Sequence, residues 1–343
     1  MTIDAPAPSA IGTRKDDHLT LAARPDAVHE HDAGFRAWRL AHRALPDRDL
    51  AEVDLATVFL GRTLSAPVLV SAMTGGTDRA EIVNRRLAEA AVEVGLGMAL
   101  GSGRALLLDP ALRGTYVPGP RPGLLLANLG AVQLRLGLGP DDAERLVELV
   151  DADGLILHLN PVQEAIQPHG DTTFGGLLGP IAAVVERLAP RAVVVKEVGF
   201  GLAPDDVRAL VGTGVAAVDV AGAGGTNWAL IEGQRDVHAR AVATAFRDWG
   251  WPTARLVPAV APIARAAGLP LIASGGIGDG VEAAIALALG ANMVGLARPF
   301  LLAALEDRTT DAMRVVVEQL RIAVWAAGAA RPSDLSPDHL QPA

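Results

Sequence analysis

The chain has no cysteine. Thiolate nucleophiles, Fe–S ligation, cysteine-type zinc sites and a disulfide scaffold are therefore excluded. Aromatic residues are scarce at 3%, with a single tyrosine, Tyr116, so few side chains compete for acid work. Of 30 basic residues only two are lysine, Lys15 and Lys196. Arginine stands wherever either cation would serve. A lysine that persists marks a place needing a compact ammonium or a shiftable pKa, unless it persists by chance. A net charge of −9 leaves no global basic footprint for nucleic acid. The longest apolar, uncharged stretch, 283–297, is broken by Gly290 and Asn292 and is too short to span a membrane. It reads as a buried helix followed by a buried strand. Residues 1–12 carry an acid and two prolines with no apolar core, which predicts no secretory signal and a cytoplasmic location.

What is present is a rhythm. A hydrophobic content of 50% with 20% charged residues excludes a disordered chain, and 343 residues bury a full core without staples. That length fits two domains, or an α/β barrel of about 250 residues with extensions. Apolar runs at 67–71, 96–100, 123–128, 154–160, 192–198, 215–221, 271–274 and 292–296 are continuous, as in parallel strands covered on both faces. Between them, 78–94, 141–150, 178–188, 204–211 and 280–289 have helical spacing, and a short helix is predicted around 33–44. Eight such runs predict a (β/α)8 TIM barrel with an N-terminal extension. The divisions are 1–65 for the extension, 66–326 for the barrel and 327–343 for a tail.

Several strand ends run into glycine or polar residues, the signature of a barrel's active face. Residues 273–280, ASGGIGDG, follow a strand and open a helix, and Ala297 and Arg298 end the next strand. Paired glycine and helix-N-terminal loops after the last two strands grip phosphate; the alternative is a pair of tight turns. The glycine run at 221–227 fits a ligand loop or merely a mobile one, and SAMTGG at 71–76 could meet a flat heterocycle. Alternation puts His158 and Asn160 on one inward face, Pro161 stops the strand, and Gln163 and Glu164 follow in a loop. One carboxylate is too few for a zinc or calcium cage but suits Mg²⁺ completed by phosphate and water. A capped turn with a core histidine is the other reading. Lys196 lies in an apolar strand, where an ammonium needs a partner. The Arg14–Lys15 pair with His18 could close over a phosphate, although by itself it reads as a solvated cluster.

Together these segments resemble the type 2, FMN-dependent isopentenyl diphosphate isomerase family, from Arg14 to about Trp325. The motifs are RKDDHL, LSAPVLVSAMTGGT, ALGS, ANLGAVQ, LHLNPVQEAIQP, VVVKEVGFG, DVAGAGGTNW, WGWPT, IASGGIGDG and GANMVGLARPFL. The resemblance implies interconversion of isopentenyl and dimethylallyl diphosphate in isoprenoid biosynthesis. It implies reduced FMN as the acid–base carrier, NADPH as its reductant, and Mg²⁺. It implies FMN contacts at Ala72, Met73, Thr74, Ser102, Asn128, Lys196, Thr226, Gly275, Gly276, Ile277, Gly278, Ala297 and Arg298. The prenyl diphosphate would meet Arg14, Lys15, His18, Ser102, Arg104, His158, Asn160 and Gln163, with Mg²⁺ on Glu164. Lys196, His158 and Gln163 would support the flavin in catalysis. Residues 1–26 would cover the diphosphate, the family implies a homo-oligomer, and from charge and hydropathy neither a membrane nor a nucleic-acid partner is expected.

The sequence departs from the family pattern at Gly103, Asn227, Gly278 and His169, at the flavin pocket and beside the metal region. A barrel acting on another prenyl diphosphate, a 2-hydroxy acid oxidase type of FMN enzyme and a non-catalytic binding barrel remain the alternatives. The oxidase would leave the Gln163–Glu164 pair unexplained.

Overall fold

The computed structural model describes residues 8–343, with side chains from Lys15 onward apart from that of Arg235. The eight expected runs are eight strands: β1 (Val68–Val70), β2 (Gly97–Ala99), β3 (Leu125–Gly130), β4 (Gly154–Leu159), β5 (Ala192–Glu197), β6 (Ala217–Asp219), β7 (Leu271–Ser274) and β8 (Met293–Leu296). They pair in chain order, all parallel, and β8 closes on β1. The (β/α)8 barrel is therefore observed. The intervening helices include α2 (Asp78–Val94), α3 (Pro140–Leu149), α4 (Pro161–Ile166), α5 (Leu178–Leu188), α6 (Pro204–Val211), α7 (Trp228–Glu232), α8 (Thr253–Ala266), α9 (Gly280–Ala288), α10 (Arg298–Leu305) and α11 (Thr309–Ala326); α1 (Pro8–Ala22) precedes the barrel. The stretch 283–297 is the buried helix and strand expected of it.

Alternation divides the strand residues. Leu69, Ala99, Ile156, Val194, Ile272 and Met293 form one cluster, while neighbours such as Val68, Val70 and Val195 pack with the helices. Phe59 and Leu64 join the first cluster. They come from the antiparallel hairpin Thr57–Phe59/Arg62–Leu64, which leads into β1 and stoppers that end of the barrel. The opposite, C-terminal rim is left for the site.

The helix expected around 33–44 does not form. Gly34 takes a left-handed φ of 84°, Phe35–Ala37 is a single 3₁₀ turn, and Trp38–Leu40 is a strand. Its backbone partner is Leu340–Pro342, about 300 residues away, so tertiary pairing overrides a weak local preference. No local pattern predicted α1. It lies across α2, α7 and the short helix Arg104–Leu108, with Leu19 and Ala22 buried.

Candidate active site

At the C-terminal rim lie two contiguous cavities. The larger, about 420 Å³, is within the range of ligand pockets. Ala72, Met73, Thr74, Lys196, Thr226, Gly275, Gly276, Ile277, Gly278, Ala297 and Arg298 line it. The smaller, about 160 Å³, is lined by Lys15, His18, Ser102, Arg104, Asn128, His158, Asn160, Gln163 and Glu164. His18, Ala72, Met73, Thr74, Lys196 and Trp228 line both. All the site residues expected from the sequence are thus brought together except Arg14, whose side chain lies outside the described residues.

The larger cavity is built for a phosphate at one end. Gly275 and Gly276 have φ of 98° and 73°, and a Cβ on Gly275 would lie 2.0 Å from the Gly222 carbonyl oxygen. Only glycine allows the β7 loop to fold this close to the β6 loop. The N-terminus of α10 has no side-chain cap, and although Pro299 lacks an N–H, the N–H groups of Arg298 and Phe300 carry no cap bond and can serve an anion. Ser71 Oγ and Thr74 Oγ1 are buried in the wall without a hydrogen-bond partner in the described structure. A flat polar ligand with a phosphate tail satisfies these groups, and FMN fits that description.

Strand register sets the polar floor. His158 on β4 lies opposite Lys196 on β5, which lies opposite Asp219 on β6. Lys196 Nζ donates to its neighbour's carbonyl, Glu197 O, at 2.7 Å and sits 3.8 Å from Asp219 Oδ2. Asp219 Oδ1 accepts from Ser274 Oγ at 2.7 Å. The partner that a buried lysine demands is therefore Asp219, which local sequence reading missed. The next residue, Glu197, turns its Oε2 onto the N–H groups of Val198, Gly199, Phe200 and Gly201 and so fixes the loop after β5. Burial pushes its carboxyl up, and those N–H groups oppose the shift. His158 donates from Nδ1 to Asn128 Oδ1 at 2.7 Å. Burial, and then the Lys196 charge, push His158 down to about 4, so its imidazole is neutral at pH 7.

Gln163 and Glu164 were expected in a loop. They lie instead in the first turn of α4, which Asn160 and Pro161 start directly at the strand end. Pro at N1 costs no hydrogen bond and favours helical φ. Asn160 Nδ2 donates to Glu164 Oε1 at 2.9 Å and Gln163 Oε1 at 3.1 Å. Glu164 Oε2 accepts from Asp171 N–H at 2.8 Å. The Asp171 carboxylate in turn holds Arg104 at 2.7 Å and Gln133 at 2.9 Å. Gln163 Nε2 donates to Glu232 Oε1 at 3.0 Å, so both ends of its amide are fixed. Among the described residues no group of three or more acidic or histidine ligands could hold a metal by itself. One carboxylate beside the unpartnered buried Asn160 Oδ1 fits Mg²⁺ whose remaining ligands are phosphate and water.

The Lys15–His18 segment is not the solvated cluster that it resembles locally. Lys15 Nζ donates to Ser102 O at 3.0 Å and Tyr116 Oη at 2.5 Å, and lies 4.8 Å from the Tyr116 ring centre. Burial pushes the Tyr116 phenol up, so it stays protonated and donates to Ser102 O. His18 Nε2 meets the buried Glu232 carboxylate at 2.9 Å and packs edge-on to Trp228. Glu232 carried no motif; only its place at the end of α7 brings it here. Tyr116, the lone tyrosine, was a signal in plain view.

The family model for FMN-dependent dehydrogenase matches residues 181–342. The chain is 48% identical over 326 residues to an isopentenyl-diphosphate delta-isomerase of Stutzerimonas stutzeri (strain A1501), covering 93% of each chain. It is 49% identical over 329 residues to that of Xanthobacter autotrophicus (strain ATCC BAA-1158 / Py2), covering 94% of this chain and 95% of the other. The chain belongs to the isopentenyl-diphosphate delta-isomerase family. It is accordingly an enzyme. A flavocytochrome b2 mutant with benzoylformate aligns with a TM-score of 0.68 at 19% identity, over 97% of this chain and 84% of that one, and shares the fold. Among the described residues no helix is long and apolar enough to cross a membrane.

The four departures from the family pattern have distinct settings. A Cβ on Gly103 would meet Leu146 Cδ1 at 2.4 Å, so Leu146 fills the space that a larger residue would need. A Cβ on Gly278 meets only Glu282 Oε2, at 3.5 Å. Asn227 is fully buried; its Oδ1 caps α7 at Leu230 N–H and its Nδ2 donates to the carbonyls of Phe246 and Arg247. His169 is exposed with a φ of 57°.

Proposed function

We propose that the chain interconverts isopentenyl and dimethylallyl diphosphate by adding a proton at one carbon of the allylic unit and removing one from another. FMN, reduced by NADPH, would occupy the larger cavity, and Mg²⁺ would sit on Glu164. The observation that carries this reading is the shared wall of the two cavities. A phosphate cradle opens on one side of Lys196 and the Asn160–Gln163–Glu164 constellation on the other. When bound, FMN supplies acid–base chemistry beside the alkene in a pocket poor in water.

The chain's own residues bind, orient and exclude water. Lys196 would face the flavin ring and stabilise negative charge on it. The α10 N-terminus and glycines 275 and 276 would hold the FMN phosphate through backbone N–H groups, while the Gly278 N–H donates to Glu282 Oε2 at 2.8 Å. Ser102, Arg104, Asn160 and His158 would line the diphosphate, Glu164 would hold the metal that neutralises it, and Lys15 and His18 would close from above. Diphosphate binding is remote from the reacting carbons, so its free energy orients the hydrocarbon. Gln163, held by Asn160 and Glu232, would present a fixed amide to the reacting end. An alkene is a poor base, so such positioning is needed for a general acid to contribute its usual ~10²–10⁴-fold.

The 2-hydroxy acid oxidase alternative needs arginines on a substrate carboxylate. Arg104 is paired with Asp171, and Arg298 is held by backbone carbonyls at 3.1–3.3 Å. The family also leads us to propose a homo-oligomer, which sedimentation would test. For the function, purified protein is incubated anaerobically with isopentenyl diphosphate, FMN, NADPH and Mg²⁺. Dimethylallyl diphosphate should form without net NADPH consumption after the first reduction. A flavin-loaded protein that forms none, or that oxidises a 2-hydroxy acid, would overturn the reading.

A further inference from the structure

Arg298 has its backbone in one site and its side chain in another. Its N–H opens α10 beside the phosphate cradle, where backbone donors alone suffice for an anion. Its guanidinium points away, to the end of α1. Nε donates to Ala22 O at 3.2 Å, and Nη2 donates to Ala23 O at 3.1 Å and Arg24 O at 3.3 Å. The last turn of α1 contains no basic residue of its own. Its terminal carbonyls, which carry the negative end of the helix dipole, are capped by an arginine 276 residues later in the chain.

We propose that Arg298 is a positioning residue for the diphosphate site, clamping the C-terminus of α1 so that Lys15 and His18 stay over the barrel mouth. This rests on the prenyl diphosphate reading for its consequence, although not for the clamp itself. Elsewhere on α1, Lys15 is tied to Ser102 and Tyr116, and His18 to Glu232. Thr77 Oγ1 donates to Asp16 Oδ1 at 2.6 Å and Arg79 Nη1 to Thr20 Oγ1 at 2.6 Å, both from the start of α2. Among the described residues Arg298 reaches the C-terminal end of the helix from the β8 side, and it does so from the first residue of α10, beside the proposed phosphate cradle. The cradle and the substrate cover are therefore joined through one residue, and the side chain is committed to the cover.

Arg298→Met in the full chain separates the possibilities. FMN affinity, read by quenching of flavin fluorescence, should stay within about twofold of wild type, because the cradle is backbone. Tryptic cleavage after Lys15 in the FMN-loaded protein should speed up about tenfold, the scale expected on losing hydrogen bonds to a charged donor. Binding of inorganic diphosphate with Mg²⁺, measured by calorimetry, should weaken by about five- to tenfold, and Arg298→Met should add little further in a Lys15→Ala/His18→Ala background. Unchanged cleavage, additive losses, or a large fall in FMN affinity with α1 still protected would overturn the proposal. Should Arg298→Met fail to fold, Arg298→Lys, which reaches fewer carbonyls, must show the same changes at smaller size; wild-type cleavage in that variant would overturn the clamp. If the wild type binds no diphosphate yet cleavage still quickens in the variant, the clamp stands and the substrate reading fails.

Discussion

Lys196 is buried beside one carboxylate, 3.8 Å away, and its ammonium opens onto the larger cavity. At about 4 Å and an effective dielectric of about 20, its attraction for a negative charge on a reduced flavin is on the order of 4 kcal/mol before desolvation. Lys196→Met should lower the midpoint potential of the bound flavin and slow isomerisation, while Asp219→Asn, which removes the competing charge, should raise that potential. Spectroelectrochemical titration checks both; equal potentials in all three proteins would mean that Lys196 does not face the ring. Lys196→Arg need not restore function, since the guanidinium is wider. For Glu164→Gln we expect FMN to be retained and Mg²⁺-dependent turnover to fall by at least about 10–100-fold, the loss typical when even an outer-shell partner of a metal is changed. Near-normal turnover with unchanged Mg²⁺ dependence would remove the metal from Glu164. The glycine departures give a contrasting pair. Gly103→Met must displace Leu146 and should lower stability by about 1–3 kcal/mol, whereas Gly278→Arg enters open space and should be close to neutral. Urea denaturation of the two variants measures the difference.

At the scale of elements, α1 is the cover of the proposed site. It touches the barrel through Lys15, His18, Leu19 and Ala22, which roof the two cavities between them. Deleting residues up to Leu19 should raise the Michaelis constant and lower turnover, because the diphosphate loses its cover and water enters. The visible flavin spectrum should persist, since the glycine cradle and Lys196 belong to the barrel. Steady-state kinetics beside an absorbance spectrum decide it, and normal turnover in the truncated protein would sink the cover. Elements also explain which parts were legible early. The runs at 78–94, 178–188 and 204–211 became helices over the same residues, because their apolar spacing agrees with the face that the barrel buries. The segment around 33–44 failed because its strand exists only against residues 340–342.

For the whole molecule, the buried His29 and the partly buried His158 contribute to the acid sensitivity of the fold. Burial pushes His29 down to about 4, and His158 likewise. His29 Nε2 donates to Gly199 O at 2.9 Å and its Nδ1 lies 3.1 Å from the Arg247 carbonyl oxygen. Both carbonyls oppose the shift, but burial outweighs them, with His31 and Asp248 also near the ring. His158 faces Lys196 and Asn128. Each is neutral in the fold, whereas the unfolded chain takes up its proton at the ordinary value near 6.5. Below that value the unfolded state binds more protons, so stability is fully present above about 6.5 and declines as pH falls towards 4. The urea midpoint should therefore drop between pH 7 and pH 5, and it should drop less in His29→Gln. Equal slopes in the two proteins would mean that His29 is not neutral by burial.

The sequence by itself determined the barrel, its eight strands and the glycine loops at their ends, and the family resemblance pointed to many of the polar residues lining the two cavities. Apolar periodicity, a left-handed glycine and a proline at a helix start are local properties, legible wherever they occur. Only the tertiary structure decided the polar partners. Lys15 finds Tyr116 about 100 residues on, His18 finds Glu232, Lys196 finds Asp219, and Arg298 finds the end of α1. A buried charge must be answered, and the sequence states that need. Which group answers it depends on which ends of the chain barrel closure brings within 4 Å, and no local pattern encodes that distance.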